Sequence, residues 1–143
     1  MKDEILKVKA ELTEAIQNKE ASKANNLYDE NCVMFLLAPP LQEKVQSGMD
    51  SINDLENWFA TFRGNIGLAS EEVVVVHNAN IAYLHSLEHL TGHRTDGSYT
   101  DVWFRETLCF VKTKNNWKIT HQHQSFPMYM DGSDKAATDL KPF

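Results

Sequence analysis

Glu106, His85 and His123 are the residues whose types and spacing offer acid–base chemistry. A carboxylate beside an imidazole orients the ring and raises its proton affinity, giving a general acid or base that works near neutral pH. All three lie in segments that read as β-strands, so strand register decides whether they meet. A hairpin centred on Asp96-Gly97 and a second centred on Asn115-Asn116 pair Leu87 with Glu106 and Ser125, His85 with Leu108 and His123, and Tyr83 with Phe110 and His121. Paired residues share a face. One face then carries His85, Glu106, His121, His123 and Ser125 among Tyr83, Leu87, Leu108, Phe110 and Ile119. The other carries Leu84, Ser86, Leu90, Trp103, Arg105, Thr107, Cys109, Val111 and Thr120. In this register the Glu106 and histidine side chains stand about 5 Å apart or on a diagonal. Ser125 is placed to hold a substrate oxygen. Such a set suits proton abstraction beside a carbonyl, dehydration or cyclisation. The same residues would equally serve as a buried hydrogen-bond network that joins strands.

Other chemistries fit less well. His85, His89 and His93 would share a face on a helix, but on a strand His85 and His89 are about 13 Å apart and cannot hold one ion. A site from His85, His123 and Glu106 lacks a compact ligand motif, so no metal and no cofactor are expected. Ser125 and His123 are about 7 Å apart along one strand, too far for a nucleophile and its base, and no Gly-x-Ser-x-Gly elbow is present. Cys32 and Cys109 have no redox or metal spacing and read as free, buried thiols.

The elements that must position these groups come in two blocks. Ile5, Val8, Leu12, Ala15 and Ile16 recur at helical spacing over 3–20, and Ser22 caps a short helix ending near Tyr28. Cys32 to Ala38 reads as an isolated strand stopped by Pro39-Pro40. A polar loop follows over 41–49. Asp50 takes the N-cap position of a helix with the stripe Ile52, Leu55, Trp58, Phe59 and Phe62, ended by Gly64. Beyond Gly67 the pattern is strand-like: 72–77, 81–94, 99–113 and 117–126 form an antiparallel meander, and 131–143 is a polar tail with Leu140 and Phe143 as anchors. Helices followed by a meander make an α+β domain spanning 1–143.

The composition agrees with a globular chain of 143 residues, 42% hydrophobic and 24% charged. A net charge of −6 with no basic run argues against nucleic acid and anionic membrane as partners. No apolar stretch reaches the length of a membrane span, and the N-terminus lacks a signal-peptide core, so a cytoplasmic location is expected. Both sheet faces have substantial apolar content, and the helices can cover only one. The uncovered face is expected to pair with a second copy in a homodimer, unless the tail folds back over it.

Ala82-Tyr-Leu-His-Ser-Leu, Thr95-Asp-Gly, Val102-Trp-Phe-Arg-Glu-Thr and Trp117-Lys-Ile-Thr-His-Gln-His-Gln-Ser-Phe-Pro, in this order of elements, resemble the SnoaL-like and ketosteroid isomerase-like family of the nuclear transport factor 2-like superfamily. The resemblance covers nearly the whole chain. It implies a cystatin-like, cone-shaped α+β barrel: a curved antiparallel sheet wrapped round N-terminal helices, with a pocket at its open end, commonly dimeric. Ketosteroid isomerases of this group carry an Asp base before a Pro where this chain has Ala38-Pro39, and an oxyanion-hole Tyr on the first helix, where this chain has none. Steroid isomerisation by that route is therefore not implied. The last strand also resembles the association domain of calcium/calmodulin-dependent protein kinase II in its His-x-His-x-Ser pattern. That domain lines an anion pocket with arginines. The corresponding positions here are His85 and Leu108, so arginine-based carboxylate binding is not implied either.

Two functions stay open. One is an acid–base enzyme of isomerase, cyclase or dehydratase type acting on an apolar carbonyl compound. Glu106, His123 and His85 would be its catalytic residues, and Ser125, His121, Trp58, Tyr83, Leu108 and Tyr28 would contact substrate. The other is a non-catalytic ligand-binding or dimerisation module.

Overall fold

The computed structural model describes residues 1–45 and 48–143, with the backbone alone described for 48–50. Helix α1 spans Lys2–Gln17 and buries Ile5, Lys9, Leu12 and Ala15, one stripe at helical spacing. Helix α2 is Ala21–Asn25, strand β1 Tyr28–Phe35 and strand β2 Glu43–Lys44. Helix α3 covers Gly48–Phe59. Asp50 therefore lies inside the first turn and is not the N-cap, and residues 46–47 of the expected 41–49 loop lie outside the described residues. Strands β3 Phe62–His77, β4 Ile81–Arg94, β5 Tyr99–Thr113 and β6 Asn116–Ser125 complete the chain.

The six strands form one curved, unclosed sheet in the order β2-β1-β6-β5-β4-β3. The helices lie against its concave face, and this is an α+β cone. The expected isolated strand is in fact internal: β1 pairs antiparallel with β2 and parallel with β6. Its partner in β6 is distant in sequence, and no turn signal marks such a pairing. The expected third helix ends earlier than Gly64, because the Thr61 hydroxyl bonds the Trp58 carbonyl at 2.7 Å and turns the chain out of the helix. Phe62 then reaches the core from β3, its ring packed so close under Gly92 that a Cβ there would sit 2.7 Å from it.

The register differs from the expected one in a consequential way. The first hairpin closes through a three-residue loop, Thr95-Asp96-Gly97, with Arg94 N–H donating to the Ser98 carbonyl at 2.8 Å. Asp96 accepts from the Ser98 amide and hydroxyl, and Gly97 takes φ +92°. This is a turn followed by a left-handed residue, not the two-residue turn the Asp-Gly pair suggests. The extra loop residue moves β4 by one position, so Ser86 faces Glu106 and His85 faces Thr107. A one-residue shift sends every side chain of a strand to the other face.

The second hairpin turns at Lys114-Asn115, both at positive φ, which leaves the expected faces near the turn intact. A bulge then intervenes. Cys109 pairs with His121 but Phe110 pairs with Ile119, so Thr120 is the extra residue. Trp117 and Ile119 point inward before it, Gln122 after it. The concave face thus carries Ala82, Leu84, Ser86, Glu88 and Leu90 from β4 and Phe104, Glu106, Leu108 and Phe110 from β5, all buried. The assignment of β5 is as expected from the sequence. That of β4, and of β6 beyond Thr120, is reversed.

After β6 the chain doubles back through a Met128–Ala136 bridge. Ala137 is buried there, whereas Leu140 and Phe143 are exposed, with Phe143 edge-on to Trp103 at 6.2 Å. The tail thus touches one end of the convex face. Gly97 has open space around it, so only backbone conformation penalises a side chain there. Gly97→Ala is expected to cost about 1 kcal/mol in denaturant unfolding, without loss of the fold.

Candidate functional site

The polar centre of the concave face is a buried charge network that starts on α1. Lys9 falls on the same stripe as Ile5 and Leu12, so α1 points its ammonium into the sheet. Lys9 Nζ donates to Glu88 Oε1 at 2.6 Å and to Glu106 Oε1 at 3.0 Å. The second oxygen of Glu88 accepts from the Ser86 hydroxyl at 2.7 Å. The second oxygen of Glu106 accepts from Gln122 Nε2 at 2.9 Å and Gln124 Nε2 at 2.7 Å. The carbonyl oxygen of Gln122 in turn accepts from the Tyr28 hydroxyl at 2.8 Å.

Lys9 is 5% exposed, Glu88 1%, Glu106 4% and Gln122 3%. At such burial an unpaired charge would be untenable, and here no buried side-chain polar atom among the described residues lacks a partner. Burial by itself would pull the Lys9 ammonium below its ordinary pKa. The Glu106 and Glu88 carboxylates, with their hydrogen bonds, overcome this and raise it. Burial, then the nearby Glu106 charge, pushes the Tyr28 phenol well above its usual range, against the opposing bond to Gln122. The Cys32 thiol is pushed up to about 12, chiefly by burial, and Cys109 is raised by burial as well. Neither is a thiolate nucleophile at neutral pH.

The sequence-derived set divides between the two faces. Glu106 and Leu108 lie on the concave side, and Tyr28 joins them through Gln122. Trp58, on α3, is half-buried and packs edge-on against Phe62 at 5.2 Å. His85, His121, His123, Ser125 and Tyr83 lie on the convex side, so the grouping of His85 and His123 with Glu106 is corrected. The cause is the three-residue hairpin loop and the Thr120 bulge. His85 and His123 are exposed. His121 Nδ1 is 2.7 Å from the Val33 carbonyl, and Ser125 Oγ accepts from Arg105 Nε at 3.1 Å.

Lys9, Glu88, Ser86, Gln122 and Gln124 take the place that the histidines were expected to fill. One signal for Lys9 was present: a lysine four residues after Ile5 and three before Leu12 sits within an apolar stripe. Chemically, three donors hold Glu106, Lys9 on Oε1 and Gln122 and Gln124 on Oε2, which leaves at most one lone pair, on Oε1. The network orients and joins elements.

Removing the ammonium leaves two carboxylates buried without a cation. Lys9→Met is expected to cost about 3–5 kcal/mol in denaturant unfolding. Adding Glu88→Gln and Glu106→Gln to that variant should recover much of the loss. Because the folded state raises the Lys9 pKa, its stabilisation is complete below about pH 10.4 and is lost as pH rises through the raised value. A pH series of unfolding free energies comparing wild type with Lys9→Met reads this out as a difference that shrinks at strongly alkaline pH.

Known proteins place this architecture. An NTF2-like protein of unknown function from Pseudomonas putida KT2440 superposes with a TM-score of 0.85 at 21% identity, covering 98% of this chain and 95% of that one. An NTF2-like superfamily protein from Salmonella enterica serovar Typhimurium LT2 gives 0.77 at 19% identity, covering 94% and 96%. The association domain of C. elegans CaMKII gives 0.65 at 16% identity, covering 87% and 94%. These likenesses concern the fold. No curated protein matches the chain significantly. Over residues 5–129 the sequence matches the SnoaL-like domain family, and the chain belongs to that family.

Proposed function

We propose that this SnoaL-like chain is a non-catalytic binding module: it takes an apolar small molecule at the open end of its cone and works as a homodimer through its convex sheet face. The observation that carries the non-catalytic part is the closed network of Lys9, Glu88, Glu106, Gln122 and Gln124, whose buried polar groups are spent on one another. The histidines that would have completed an acid–base site stand on the far side of the sheet. A ligand finds apolar surface instead in Leu37, Leu55, Trp58, Val102 and Phe126, half-buried side chains packed on the cluster of Phe59, Phe62, Ile66, Leu90 and Phe104.

The dimer reading rests on the convex face, where Val74, Val76, Ile81 and Tyr83 are 43–57% exposed in neighbouring rows. The tail does not cover them, since its contact is with Trp103. Apolar side chains gathered on one sheet face mark a partner surface.

Thermal-shift and native mass-spectrometry titrations with neutral apolar carbonyl compounds and alcohols test the binding part. The expected result is saturable binding without turnover, weakened about tenfold by Trp58→Ala, a loss equivalent to about 1.4 kcal/mol. Turnover of any such compound that Glu106→Gln abolishes, with the fold retained, would overturn it.

A further inference from the structure

Five of the six histidines lie on one side of the sheet. By register His85, His89, His93, His121 and His123 all belong to the convex face. Each is also paired with an aromatic ring of that face. His85 stacks with Tyr83 at 6.3 Å and His89 on Trp103 at 4.3 Å, with planes 6° apart. His93 meets Tyr99 at 4.8 Å, and Phe35 meets His121 at 4.8 Å and His123 at 5.3 Å. Neutral imidazoles in such contacts extend the apolar surface of Val74, Val76, Ile81 and Tyr83. Protonated imidazoles do not, and histidine gains its charge between about pH 8 and pH 5.

We infer that the convex face is a self-pairing surface whose dimer is switched by histidine protonation, closed when His85, His121 and His123 are neutral and released when they are charged. The inference rests on the dimer reading above. The partner is a second copy because the face is complementary to itself. One row runs Glu71–Leu87–Arg105–Ser125, with one charge of each sign on either side of Leu87. A two-fold axis lying in the interface, parallel to β4 and passing over Leu87, sets Glu71 of each copy against Arg105 of the other. The rows from Ile81 to His89 across five strands measure about 27 Å by about 24 Å, roughly 650 Å² in projection, which is the scale of a standard interface at about 800 Å² per partner.

The charged and titratable groups registered around the histidines come from four strands and from the tail. Register places Arg63 and Glu71 on β3, Asp101, Cys109, Tyr99 and Arg105 on β5, Lys118 on β6 and Lys44 on β2 with this face. Lys141 of the tail acts on Asp101. Asp101 is taken by His89, its Oδ1 lying 2.6 Å from Nε2, so His89 carries a counter-charge when protonated. Lys118 is bonded to the Asn26 carbonyl. His85 and His123 flank Thr107 in one row, and His121 lies in the next. Among the groups that register places there, Arg63, Arg105, Lys118 and Lys44 outnumber Glu71 and Asp101. Protonation of the three histidines therefore adds like charge that the face does not neutralise, and pairing would strip water from it.

Sedimentation analysis of the full chain at pH 7.5 and pH 5.5, at constant ionic strength and with circular dichroism to follow the fold, tests the inference. A dimer at pH 7.5 that weakens on the order of a hundredfold at pH 5.5 is expected. His85→Gln with His123→Gln should dimerise nearly equally at both values. His85→Arg with His123→Arg fixes the charge and should be monomeric at pH 7.5 whatever the chain does in acid. A wild-type dimer of equal strength at both values, an Arg variant that still dimerises, or a Gln variant that dissociates in acid as wild type does would overturn the switch and leave the dimer reading standing. A wild-type monomer at both values would overturn the dimer reading and the switch together.

Discussion

Placing one lysine and two glutamates in the middle of a core is the costliest choice this chain makes. Taking each ion from water costs several kcal/mol, and the mutual attraction offsets this only when geometry is good and remaining lone pairs are filled. Lys9 meets both carboxylates, Ser86 completes Glu88, and Gln122 with Gln124 completes Glu106. Each partner imposes a condition on the fold. The phase of α1 must aim Lys9 inward, the β4–β5 register must align Ser86 with Glu106, and the Thr120 bulge must turn Gln122 and Gln124 to the same side. A slip of one residue at either hairpin would place charged and amide groups where no partner exists. The network therefore specifies a single register more sharply than the apolar side chains alone could.

That coupling also explains what could be read from the residues and what could not. Helical spacing and turn residues locate α1, β4, β5, β6 and the outer end of β3, whose first ten residues they miss, and the resemblance carried by stretches such as Val102-Trp-Phe-Arg-Glu-Thr leads to the right cone. Glu106, Leu108 and Phe110 were assigned to the correct face because β5 is the reference strand for both hairpins. The rest depended on parity. Asp96-Gly97 suits a two-residue turn as well as a three-residue loop, and only Asp96 bonding Ser98 with Gly97 at positive φ selects the longer one. Thr120 carries no mark of a bulge. Two single-residue events thus exchanged histidines for glutamate and glutamines at the heart of the candidate site. The β1–β6 pairing was hidden for another reason: parallel neighbours so distant in sequence leave no local signal.

The exchange gives the sheet two unlike faces. The concave one is closed, charged at its centre and satisfied. The convex one is open, aromatic and rich in histidine. A burial pattern that alternates along β4 from Ala82 to Leu90 separates the two. The proposed small-molecule binding and the proposed assembly consequently draw on different residues, and substitutions on one face need not disturb the other.

The most direct measurement is a high-resolution crystal structure of the protein purified without added ligand, read at Glu106. The expected result is Lys9 Nζ within hydrogen-bond distance of both carboxylates, the Gln122 and Gln124 amides on the second Glu106 oxygen, and His85 and His123 on the opposite face. A small molecule lodged between Glu106 and Gln124 with Lys9 turned away, or Glu106 facing His85 and His123, would contradict it.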